Sequence, residues 1–148
     1  MTTRPVGDDE DKLIGRQLGA YSVSRLLATG GMARIYEGVD TNLGRPVAIK
    51  VLKLEDASAD PTLARRFQRE AKAIAKLEHD HIIPVYHYGE DGGLRYLAMK
   101  LIDGKDLSQE ISRLRRSGRR MDVGYALDIL GQIASAIDFA HEHDVVHR

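Results

Sequence analysis

Three short runs rich in β-branched and aromatic residues, 21–27, 34–39 and 47–52, stand close together with turn residues between them, and no other feature constrains the fold as much. Gly30-Gly31 lies in the first connection and Asn42-Leu43-Gly44 in the second, residue types that accept the backbone angles of tight turns. The segment therefore reads as a three-stranded antiparallel meander. The 22 basic and 22 acidic side chains cancel, so no net field draws the 148-residue chain toward nucleic acid or membrane, and any partner has to be recognised locally. Cysteine is absent, which removes disulfides and thiolate metal sites and leaves a cytoplasmic location as the expectation.

Residues 1–17, with Asp8, Asp9, Glu10 and Asp11, lack the apolar core of a secretory signal and read as a disordered acidic tail. No apolar run approaches the ~20 residues of a membrane span. Downstream of the meander, Asp60-Pro61 offers an N-cap and a first helical position, and Leu63, Phe67, Ala71, Ile74 and Leu77 recur at helical spacing as far as His79-Asp80-His81. Apolar runs at 82–88 and 96–102 flank Glu90-Asp91-Gly92-Gly93 as a hairpin. Five strands and one long helix make residues 18–102 an α+β unit. From 103 onward the pattern is helical: Asp106 and Gln109 have the spacing of a capping box for a helix reaching about Arg116. A basic stretch at 115–120 reads as a solvated helix end and loop. Asp122 then caps a last helix whose Ala126, Ile129, Leu130, Ile133, Ile137 and Ala140 form one apolar stripe.

The chemistry centres on Val47-Ala48-Ile49-Lys50, where a lysine interrupts a strand that otherwise reads as buried. A buried ammonium is costly without an acid or a phosphate beside it. Taken alone, Lys50 could equally be an edge-strand lysine reaching water. Glu70 lies on the following helix on the same broad face as Phe67, Ala71 and Ile74, placed to turn toward Lys50; taken alone, it is a surface partner for Arg66 at i,i+4 spacing.

A glycine-containing hairpin, V-A-I-K, a helix with an inward Glu and a terminal Val145-Val146-His147-Arg148 together resemble the protein kinase signature set in the right order, over residues 18–148. Gly30-Gly31-Met32 before Ile35-Tyr36, and Tyr96-Leu97-Ala98-Met99 before Asp103-Gly104, are similar to the bacterial branch of eukaryotic-like Ser/Thr kinases. The resemblance implies a kinase N-lobe followed by the first two helices of a C-lobe at 103–148, and transfer of the ATP γ-phosphate to protein Ser/Thr hydroxyls.

By the same resemblance, the hairpin carrying Leu27, Ala28, Gly30, Gly31, Met32, Ala33 and Ile35 is a lid over the nucleotide, where small residues let the backbone approach phosphate oxygens. Of the family's G-x-G-x-x-G only the middle glycine, Gly30, is kept. Ala28 and Ala33 replace the outer two and lack glycine's positive-φ freedom, which stiffens the lid. Lys50 would bind the α- and β-phosphates and pair with Glu70. Leu27, Ile35 and Ala48 would wall the adenine, Met99 would be the gatekeeper, and the backbone of Lys100 and Ile102 would bond the adenine edge. Asp106 falls at a ribose-binding position, with helix capping as an equal alternative. His79 and His81 read as packing elements of a helix-to-strand turn rather than as metal ligands.

His147-Arg148 matches the start of H-R-D. The Asp that accepts the substrate proton, and the Asn and Asp that hold Mg²⁺ in the family, do not follow within these residues. The expectation is a chain inactive by itself, with an exposed last helix that favours association. The alternative is a non-catalytic, kinase-like regulatory or scaffold module that binds nucleotide or a partner protein.

Overall fold

The structure is a computed structural model that describes residues 12–52 and 61–146. Asp60, expected as a helix cap, the acidic residues 8–11 and His147-Arg148 lie outside the described residues. The chain divides into two compact units, Met1–Lys76 with Pro84–Leu101, and Leu77–Ile83 with Ile102–Arg148.

The first unit is an antiparallel sheet with one helix. Its strands are β1 (Gln17–Leu18), β2 (Tyr21–Thr29), β3 (Ala33–Asp40), β4 (Arg45–Leu52), β5 (Val85–Asp91) and β6 (Leu94–Lys100), in the spatial order β1-β2-β3-β4-β6-β5; α1 is Pro61–Ile74. The meander and the second hairpin are as the sequence implies. Gly92 and Gly93 form the two-residue connection of β5 and β6, both at positive φ (56° and 79°), as a turn matched to strand twist requires.

Two expectations are corrected. The sheet has six strands, not five: Gln17–Leu18 folds back on Tyr21 and Ser22, and Leu13, placed in the tail by composition, is buried in the core. Two residues are too few to show a period of two, and the strand exists because Leu18, 1% exposed, fills the sheet's inner face. The fifth strand starts at Val85 rather than at residue 82, because Pro84 has no N–H to give the ladder; its carbonyl instead accepts from Lys100 N at 3.0 Å.

Alternation divides the buried residues of the sheet into two clusters. Leu18, Tyr36, Val47, Ile49, Tyr96 and Ala98 belong to one; Ala33, Leu52 and Leu97 belong to the other, together with Ala64, Phe67 and Ala71 of α1. Each fully buried large aliphatic side chain stabilises the fold by about 1.5–3 kcal/mol. Gly38 and Gly89 are held to glycine by packing: a Cβ on Gly38 would strike Ser22 O and the Ile49 side chain, and one on Gly89 would strike the Tyr96 ring.

The second unit holds α2 (Leu107–Arg116) and α3 (Val123–Glu142). Asp106 and Gln109 make the expected capping box: Gln109 N donates to Asp106 Oδ1 at 2.7 Å, and Asp106 N donates to Gln109 Oε1 at 3.0 Å. Asp122 caps α3 by accepting from Tyr125 N at 3.0 Å. His79 and Ser135 are hydrogen-bonded at 3.0 Å, and the His79 ring packs 5.1 Å from Phe139, so this histidine serves as a packing element.

Much of the α3 stripe is exposed, with Leu127 at 63% and Leu130 at 59%. Contrary to the sequence expectation, this 20-residue helix does reach the length and mean hydropathy (1.2) of a membrane span. Asp128 and Asp138 lie within it, and carboxylates at such positions are costly in hydrocarbon.

Candidate functional site

Lys50 is the sixth of the eight residues of β4, directly opposite Ile35 on β3 and Leu97 on β6. Directly paired residues share a face of a sheet. Ala28 pairs with Ile35, so Ala28, Ile35, Lys50 and Leu97 form one rung; Glu37, Ala48 and Met99 form the next. Five residues singled out from the sequence, Ala28, Ile35, Ala48, Lys50 and Met99, are thereby brought onto one face by register alone. Leu27 is the extra residue of a bulge between Leu26 and Ala28 and is exposed.

The hairpin tip closes through Gly30 N donating to Ala33 O at 2.8 Å. A Cβ on Gly30 would lie 3.3 Å from that same oxygen, whereas one on Gly31 would meet nothing within 4 Å. Only the first of the two glycines is sterically constrained. Met32 and Ala33 turn back toward the helix-bearing cluster instead of lying free.

Lys50 is half-buried, and its Nζ stands 5.9 Å from the centre of the Phe67 ring, at the outer limit of a cation–π contact. Glu70 is exposed, and among the described residues it forms an ion pair with neither Lys50 nor Arg66. Helix geometry accounts for this. Ala64, Phe67 and Ala71 define the buried arc of α1, and at about 100° per residue Glu70 falls about 90° from its centre. Phe67 therefore occupies the ground beneath Lys50, a role the sequence signals only through its place in the apolar stripe. Tyr88 packs on Phe67 with ring centres 6.3 Å apart, and burial raises its phenol pKa above the ordinary value.

Lys100 is exposed and faces Val47 across the ladder, with its N–H already given to Pro84. Ile102 and Asp106 belong to the second unit. Ile102 is 55% exposed, and one Asp106 carboxylate oxygen is committed to the α2 cap.

Glu37, which the sequence gave no reason to single out, stands beside Ala48 and is ion-paired with Arg25. Lys50 thus remains the cation without an ionic partner on this face among the described residues. An ammonium so placed, on a face with small and apolar side chains, fits the donor chemistry that a phosphate anion requires.

Residues 21–148 match the family model for the protein kinase domain. The serine/threonine-protein kinase PknA of Mycobacterium tuberculosis is 44% identical over 135 residues, covering 88% of the chain and 30% of that protein. PknH of Mycobacterium bovis is 38% identical over 143 residues, covering 97% of the chain and 23% of that protein. Among solved structures, the kinase domain of M. tuberculosis PknI superposes with a TM-score of 0.76 at 34% identity, covering 90% of the chain and 53% of that domain chain. The chain therefore spans under a third of the length of these two curated relatives.

Proposed function

The chain belongs to the protein kinase family, and from that premise we propose that its six-stranded unit binds the phosphates of ATP through Lys50 under the hairpin of Ala28, Gly30 and Ala33. The observation that carries this is the Lys50 ammonium, without an ionic partner among the described residues, on the face it shares with Ala28, Ile35, Ala48 and Met99. In this reading Ile35 and Ala48 flank the base, Met99 limits the depth available to it, and the Lys100 backbone takes its edge.

ATP use makes the cytoplasm the compartment of action. Mg²⁺ would offset phosphate charge when bound with the nucleotide. Acceptance of the substrate proton has no carrier among residues matched to the motif here, so the 148-residue polypeptide tested alone binds ATP without transferring phosphate to Ser/Thr. Glu70, turned outward, and alanine at the outer two hairpin positions favour a second reading, a regulatory module that holds nucleotide or a partner protein without catalysis.

Thermal unfolding tests the nucleotide reading. ATP at about a hundredfold excess over its Kd should stabilise the chain by about 2.7 kcal/mol, and Lys50→Met should remove most of the resulting rise in Tm. An unsubstituted chain whose melting ignores ATP, or a Lys50→Met variant that responds as fully, would discard the site. ATP-dependent phosphate incorporation by the purified chain would discard its inactivity.

A further inference from the structure

At the third glycine position of the hairpin the chain has Ala33, and its methyl is not in solvent. Ala33 is 4% exposed and belongs to the same apolar cluster as Leu52 beside it on β4 and Ala64, Phe67 and Ala71 of α1. Met32, half-buried at the tip, packs against that cluster as well. A glycine at 33 would keep the backbone bond to Gly30 but would have no side chain to contribute to this cluster.

We propose that Met32 and Ala33 are positioning residues that fasten the tip of the β2–β3 hairpin to α1 through this shared cluster, so that hairpin and helix open and close together. Phe67 is the common element, lying in the cluster and 5.9 Å from Lys50 Nζ. A shift of α1 that moves Phe67 therefore changes both the surroundings of the ammonium and the seating of the tip. Calling the hairpin a nucleotide lid rests on the ATP reading above; the mechanical coupling does not. Packed interiors transmit such shifts because they have few voids to absorb them.

Amide hydrogen exchange on the nucleotide-free 148-residue chain tests the coupling. Removing apolar contact at the tip by Met32→Ala or Ala33→Gly should speed exchange about threefold to tenfold, both at residues 28–34 and in Pro61–Ile74. Tyr21 and Val23, in the other cluster, should not change. Reciprocity requires the mild helix variant Phe67→Leu to speed exchange at 28–34 as well. A hairpin that loosens while α1 exchanges as before would overturn the proposal, and so would acceleration spread equally to Tyr21 and Val23. The ATP melting assay, run on the same variants, separates the two readings: absence of an ATP response sinks the nucleotide site and leaves the coupling to be judged by exchange alone.

Discussion

Tyr96 shows how one side chain closes the inner core. Its ring fills the space left by the missing Cβ atoms of Gly19 and Gly89, and it packs edge-on against Tyr21 with ring centres 6.0 Å apart. Burial raises its phenol pKa, and the nearby Tyr21 and Asp91 push in the same direction. A raised phenol pKa means that the fold favours the neutral form. The stabilisation is complete below the unfolded value, about 10, and is lost as pH rises through the higher folded value. Melting temperature should therefore fall as pH goes from about 9 to about 11, and Tyr96→Phe should flatten that fall; an equally steep decline in the variant would place the effect elsewhere. At this scale the sequence identified Lys50 by its oddness, a charge within an apolar strand. It did not identify Phe67 as its neighbour, because a neighbour on another element leaves no local mark.

Helices and strands were legible where local chemistry fixes them and not where it does not. The capping box of α2 is a four-residue signal, Asp106 to Gln109, and it formed as its spacing implies. Asp106→Ala should cost about 0.5–2 kcal/mol, read as a lower urea midpoint for the α2 region, with Asp106→Asn close to neutral because Asn also caps. An Ala variant as stable as the original would show the cap to be idle. The β5–β6 hairpin was legible for the same reason, since Gly92-Gly93 accepts the positive φ values of a two-residue turn at no steric cost. Strand β1 was not, and neither was the rotation of α1. Its apolar stripe fixes the buried arc only to within about a residue's width, about 100°, and that margin separates a Glu70 facing Lys50 from the exposed Glu70 observed.

In the molecule as a whole, charge balance leaves recognition to local surfaces, and one of these is an apolar stripe on α3. Leu127, Leu130, Ile133 and Ile137 are all exposed there, and exposed apolar stripes drive association. Replacing Leu127 and Leu130 with Glu should shift the chain toward monomer in light scattering; unchanged self-association would clear the stripe of that role. The sequence by itself determined the succession of elements, the turn chemistry, the caps and the candidate lysine, because each depends on residues within a few positions of one another. Only the tertiary structure decided that Ala28, Ile35, Ala48, Lys50 and Met99 share one face, that Phe67 rather than Glu70 lies under the ammonium, and that Ala33 joins the helix cluster. These outcomes follow from strand register and helix rotation, which are set by the packing of surfaces far apart in the chain.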